Sequence, residues 1–156
     1  AKMIIKALNE NNVDIITKFL LSEDSFVVKD VSSSKKIISD INTIIKKRLS
    51  HKEDKDHFIY ALFDEEEIKL AIIFDANGKI INFTPSSNLN VAEGKAFMKE
   101  FSKLYKEKIK YFSIEVKESH LQFLNEIGFK NSQFLQNNSL NENNYTYYFL
   151  LKYYTV

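Results

Sequence analysis

The chain has 156 residues and a mass of 18.3 kDa, which suits one ordinary domain, and its 44% hydrophobic, 13% aromatic and 28% charged content is that of a folded protein. Lys and Arg total 22 against 21 for Asp and Glu, and the resulting net charge of +1 gives no field for gathering nucleic acid or an anionic membrane. The absence of cysteine excludes disulfides, thiolate nucleophiles and cysteine-ligated zinc or iron–sulfur clusters, and three histidines leave little material for a metal site.

No run approaches the ~18 consecutive apolar residues of a membrane span. No basic segment followed by a long apolar one opens the chain, so no signal peptide is expected and the cytoplasm is the expected compartment. Ala1 and Lys2 stand before Met3, which reads as the natural start, so a single domain is expected over residues 3–156. Arg48 is the only arginine, and the abundance of Lys, Asn, Ile, Phe and Tyr reads as the codon bias of an AT-rich genome.

Met3 to Leu8 has the pattern of a short strand. Asn9 to Asn12 then offers caps for a helix carrying Val13, Ile16 and Leu20, because an Asn side chain can accept from an orphan helix N–H. A second helix is predicted from a cap at Ser32–Ser34, with Ile37, Ile38, Ile41, Ile44, Ile45 and Leu49 at helical spacing. His51 to Asp56 reads as a charged loop.

Three strands follow: Phe58 to Phe63, Ile68 to Phe74 and Lys79 to Thr84. Glu65–Glu67 makes the first turn and Asn77-Gly78 the second, as a hairpin in which both residues tolerate positive φ. A helix is predicted from Val91 or Ala92 to Lys108, burying Phe97, Phe101, Leu104 and Tyr105. Tyr111 to Val116 is a strand with Phe112, Ile114 and Val116 on one face and Tyr111, Ser113 and Glu115 on the other. A short helix over Ser119–Ile127 ends at Gly128, placed for a left-handed cap, with Phe129 folding back on its last turn. Phe134 and Leu135 suggest a sixth strand, Asn137–Asn144 a polar loop, and Tyr145–Tyr154 a long last strand. The predicted order is β-α-α-β-β-β-α-β-α-β-β, a mixed α/β (α+β) sheet whose fourth and fifth strands run parallel and whose other pairs are antiparallel.

That order resembles the GNAT (Gcn5-related N-acetyltransferase) superfamily. The opening strand Met3–Leu8 with its Asn/Glu cap, the stretch Gly94-Lys95-Ala96-Phe97-Met98, and Phe123 to Lys130 with Gly128-Phe129 are similar to family motifs in the same order. The resemblance implies that strands four and five splay at a bulge, that the pantetheine arm of acetyl-CoA lies in the gap, and that its pyrophosphate rests on the N-terminus of the following helix. It assigns cofactor binding to Asn90, Val91, Ala92, Gly94 and Lys95, with acetyl-CoA as co-substrate, no metal, and an amine of a small molecule or peptide as acceptor.

Several positions depart from the family pattern. Leu89 and Ala92 stand where Arg or Gln and the first Gly are usual, and Glu93 adds negative charge beside the expected pyrophosphate. Leu124 stands where many members place a proton-donating Tyr, and Lys117 where an Asn is common. Strand four offers Asn82 and Thr84 but no carboxylate base.

Catalytic residues are therefore not fixed by the resemblance. His120, at a helix start, is a candidate base, or else a partly exposed polar residue. Glu115 is a candidate at the cleft, or else a surface carboxylate. The lysines from Lys99 to Lys110 line a solvated face, with a contact to the 3′-phosphate as the alternative. The tyrosines of the last strand cover the sheet, line an acceptor pocket, or form a homodimer contact. Two functions stay open: an acyl-CoA-dependent N-acetyltransferase, and a catalytically inactive binding or regulatory module of the same fold. Neither a nucleic acid nor a membrane is expected as partner.

Overall fold

A computed structural model describes residues 3–28, 35–40, 57–138 and 145–155. The elements are β1 (Met3–Ala7), α1 (Val13–Ser22), α2 (residues 35–40), β2 (His57–Asp64), β3 (Glu67–Asp75), β4 (Ile80–Pro85), α3 (Val91–Tyr105), β5 (Tyr111–Lys117), α4 (Leu121–Glu126), β6 (Lys130–Asn138) and β7 (Tyr145–Tyr154). A 3-10 turn, Glu118–His120, leads into α4. The predicted order holds. The expected cap at 32–34, the second helix beyond residue 40 and the loop at 51–56 lie outside the described residues, as does 139–144 of the loop expected over 137–144, whose first two residues, Asn137 and Asn138, instead end β6 paired with β7.

The sheet divides in two, where the sequence suggested one. β1, β2, β3 and β4 pair antiparallel in that order, and β5, β7 and β6 form a second antiparallel sheet with β7 at its centre. β4 and β5 are parallel, as expected, but they meet only at the bridge between Lys79 and Ser113. There the Ser113 N–H donates to the Gly78 carbonyl at 2.9 Å. β4 also carries a bulge, since β3 steps from Phe74–Ile80 to Ile73–Asn82 and leaves Ile81 extra. A bulge bends its strand and raises the local twist, which turns β4 away from β5.

The hairpin that precedes this junction differs from the expected two-residue Asn-Gly turn. Only Gly78 has positive φ, at 85°, and Asp75 N–H donates to Lys79 O across a three-residue loop. The Asp75 carboxylate holds the loop by accepting from the N–H groups of Asn77 and Lys79. A Cβ on Gly78 would stand 2.7 Å from the Tyr111 carbonyl oxygen, so this glycine serves both the turn and the approach of β5. The first turn is also tighter than expected: Glu65 and Glu66 make it, Glu65 at φ 55°, and Glu67 already belongs to β3.

Each sheet face has its own core. α1 lays Val13, Ile16 and Leu20 on Ile59, Ala61, Ala71 and Ile73 of the first sheet, joined by Ile38 of α2. The other face is larger and spans both sheets, packing Phe97, Met98, Phe101 and Tyr105 of α3 and Leu124 of α4 on Phe74, Phe83, Phe112, Ile114 and Leu151. Leu104, expected in this core, is 60% exposed. At 100° per residue it lies about 90° from the centre of the stripe made by Phe97, Met98, Phe101, Ser102 and Tyr105. Gly128 does end α4 in a left-handed cap at φ 120°, with Phe129 N–H donating to Leu124 O, and Phe129 is buried. At α1 the Asn side chains close the turn before the helix instead: Asn9 Oδ1 accepts from the Asn11 and Asn12 N–H groups, and the N-cap Asn12 accepts from Asn9 N–H.

Phe74 is the hub of the larger core, fully buried and in ring contact with Phe58, Tyr60, Phe101, Tyr105 and Phe112. Phe74→Ala should cost about 3–5 kcal/mol in urea unfolding, a large share of the ~5–15 kcal/mol of an ordinary domain. Burial, and then the hydrogen bond and charge of Tyr60, raise the Tyr105 hydroxyl above its ordinary pKa of 10.0. The fold thus favours the protonated form. Its contribution is intact below pH ~10 and lost above it, so the urea midpoint should fall on the alkaline side and fall less in Tyr105→Phe.

Candidate functional site

Two parallel strands that part toward their C-terminal ends place the helices that follow them at one mouth. α3 begins after β4, and the turn Glu118–His120 begins after β5. Each strand of the gap is thus followed directly by a helix N-terminus, α3 after β4 and the turn into α4 after β5.

The upper lip is the N-terminus of α3. Asn90 is its N-cap, and Val91, Ala92, Gly94 and Lys95 form its first turn. Asn90 Oδ1 accepts from the Glu93 N–H at 2.8 Å, and Glu93 accepts from the Asn90 N–H at 3.0 Å, a reciprocal capping box. Glu93 also pairs with Lys69 at 3.3 Å, and Lys69, only 7% exposed, donates to the Asn88 carbonyl. A carboxylate of the chain and a buried ammonium thus stand where a helix dipole favours an anion. Gly94 serves packing: a Cβ there would meet Ile127 Cγ2 at 3.0 Å and Phe123 at 3.4 Å, so its absence lets α3 close on α4. Leu89 is half-buried against the larger core.

The lower lip carries His120, half-buried and stacked on Phe26 with centroids 3.7 Å apart and planes 10° apart. Burial, and then the charge of Lys117, lower its pKa below the ordinary 6.5, so the imidazole is neutral at pH 7 and able to accept a proton. A cavity of about 440 Å³ opens beside it, lined by residues 20–28 and by Lys35, Asn82, Lys117 and His120. Asn82 and Thr84 bond to each other in β4. Leu124 is fully buried, and a leucine has no proton to give. Glu115 is half-buried in β5 and is not among the described residues lining the cavity. The chain thus brings His120 and Asn82 together and keeps Glu115 apart.

Between β4 and β5 lies the segment after α1. Phe26 N–H donates to Phe83 O of β4 at 2.8 Å, and Val28 N–H donates to Glu115 O of β5 at 3.0 Å. Ser25 Oγ accepts from the Phe83 N–H at 3.0 Å, and Val27 bridges Val116 antiparallel. The Phe26 ring sits against Phe83, His120 and Phe123. Sequence reasoning passed over Ser25, Phe26 and Lys69. Nothing in the pattern of the first two marks them, and Lys69 is one polar residue inside a buried apolar strand.

Among the described residues no helix is long and apolar enough to cross a membrane, and no group of three or more acidic or His side chains is placed to hold a metal. No protein-family model matches the sequence, and no curated protein matches it. Solved structures do match. A probable acetyltransferase from Staphylococcus epidermidis superposes with a TM-score of 0.67 at 18% identity, covering 99% of this chain and 100% of that one. An acetyltransferase of the GNAT family from Streptococcus pneumoniae gives 0.65 at 10% identity, over 98% and 99%. A chimera built on the spermidine N-acetyltransferase of Vibrio cholerae gives 0.68 at 8% identity, over 99% and 96%. At such identities the likeness is one of fold, and over nearly the whole chain that fold is the one of the GNAT N-acetyltransferases.

Proposed function

We propose that the chain is an acyl-CoA-dependent N-acetyltransferase, a single cytoplasmic domain that moves an acetyl group from acetyl-CoA to an amine of a small molecule or peptide. The observation that carries this reading is the parting of parallel β4 and β5 beyond the Gly78–Ser113 bond, with two helix N-termini at its mouth. An extended thioester arm needs backbone partners along a strand, and Phe83 in β4 turns both its N–H and its carbonyl into the gap, where Ser25 Oγ and Phe26 N–H hold them in this structure. A pyrophosphate needs donors and a cation, and by position the Val91 and Ala92 N–H groups lie outside the helical hydrogen-bond ladder, with Lys95 and Lys69 close by in the sequence and at the cap.

In the transfer a C–N bond forms as a C–S bond breaks, the ammonium formed must lose a proton, and the thiolate must gain one. The thioester supplies the activated carbonyl. The chain supplies His120, neutral and beside the cavity, to take the amine proton. With Leu124 in place of a donor, the thiolate takes its proton from water.

A second reading, a catalytically inactive binding module of the same fold, is favoured by the Glu93 carboxylate at the α3 cap and by Leu124. Calorimetric titration with acetyl-CoA, against CoA alone, separates the two: micromolar binding supports the enzyme, and no heat at millimolar ligand supports the module. Glu93→Gln removes a negative charge beside the phosphate site and should tighten CoA binding by about two- to fivefold, as expected for one charge at a helix N-terminus. His120→Gln should lower kcat/KM for a responsive amine by about 10²-fold. An unchanged rate would remove His120 from the mechanism.

A further inference from the structure

The partner groups that a thioester arm would use along β4 are already taken by the chain itself. Both backbone groups of Phe83 bond to one segment, its N–H to Ser25 Oγ at 3.0 Å and its carbonyl to Phe26 N–H at 2.8 Å. Across the gap the same segment bonds Glu115 O of β5 through Val28 N–H at 3.0 Å. Four consecutive residues, Ser25 to Val28, thus run between two parallel strands and are antiparallel to β5. Val27 is buried among the residues of the larger core, and the Phe26 ring fills the space between Phe83, Phe123 and His120.

Packing alone does not demand this arrangement. A loop on the α1 side of the sheet could cross over the first core, as connections generally stay at the surface. Here it enters the interstrand gap and meets, bond for bond, the polar backbone that the parting strands expose. Those bonds satisfy buried donors and acceptors that would otherwise carry a penalty.

From this we infer that Ser25–Val28 is an autoinhibitory strap: it fills the slot between β4 and β5, and acyl-CoA enters only by displacing it. The inference rests on the proposed acyl-CoA function, because it names what the strap keeps out. It gives Phe26 a double part. The ring holds the strap closed by stacking, and it covers the face of His120, so the base is masked until the slot is filled by its ligand. The apparent affinity is then the intrinsic affinity multiplied by the fraction of molecules in which the strap is out.

The chain has no cysteine, which allows a clean test. Because Val28 N–H donates to Glu115 O, Val27 and Val116 are the non-hydrogen-bonded pair, the one whose side chains stand closest. A Val27→Cys/Val116→Cys double variant, oxidised, pins the strap in place; reduced, it releases it, and the two forms share one sequence and one core. Acetyl-CoA titration is read on the oxidised form, the reduced form, Phe26→Ala and the natural sequence, with amide exchange at Phe26 and Val28 followed in parallel. Oxidation should weaken binding by tenfold or more, with reduction restoring it, and Phe26→Ala should bind about tenfold more tightly than the natural chain, the scale of one lost ring stack. Added acetyl-CoA should speed exchange at both amides in the natural chain. Equal affinity of oxidised and reduced forms, together with an unchanged Phe26→Ala, would overturn the strap and leave the acetyltransferase reading standing. Absence of binding in every form, Phe26→Ala and the reduced form included, would overturn both.

Discussion

The hydrogen bond from Ser113 N–H to the Gly78 carbonyl fixes the geometry on which everything else depends. It is the apex of a wedge. On one side of it β3 turns into β4 through a loop that only a residue with positive φ closes. On the other side β5 comes near enough that a side chain at Gly78 would strike the Tyr111 backbone. The bulge at Ile81, just beyond the apex, then turns β4 away. One glycine and one extra residue thus convert what would be a continuous seven-stranded sheet into two sheets sharing a corner.

Opening a sheet in its middle exposes polar backbone deep in the protein, and such groups are rarely left unpaired. Two features of this chain answer that demand from within. Ser25 to Val28 take up the strand groups at Phe83 and Glu115, and the Asn90–Glu93 box takes up two of the donors at the start of α3, the Asn90 and Glu93 N–H groups. On the proposed acyl-CoA function, both stand in for interactions that a long anionic thioester would offer: amide pairing along a strand, and negative charge on a helix N-terminus. Lys69 shows the same substitution from the other side. It is a buried cation whose charge is met by Glu93.

Much of this was legible in the sequence, because periodicity reports which face of an element is buried. The alternation in β5, the stripe of α1 and the Gly128 cap were all visible in the spacing of apolar residues. β6 extends well beyond the expected Phe134 and Leu135, since its polar Lys130 to Gln133 are held by the β7 backbone and give no apolar signal. Leu104 misled because a helical stripe has edges, and one residue more or less decides which side of the edge a position takes. The strap was invisible for a deeper reason. Ser25-Phe26-Val27-Val28 has no period to read, and its partners are Phe83 and Glu115, far along the chain. The charge on Glu93 was recognised as a departure, yet its meaning as a cap needed the geometry of Asn90.

The two cores differ in reach, and this sets an order on folding. The α1-side core draws only on β2, β3 and β4 among the strands, a meander joined by short turns, whereas the α3-side core spans both sheets. Contacts close in sequence cost little loop entropy, so the meander with its tight hairpins can form before β5 finds β7 across the intervening β6. The strap bonds to one strand from each sheet. Its partners exist together only once both sheets and the corner at Gly78 are in place, so the segment that closes the cleft is among the last pieces of the protein to take its seat.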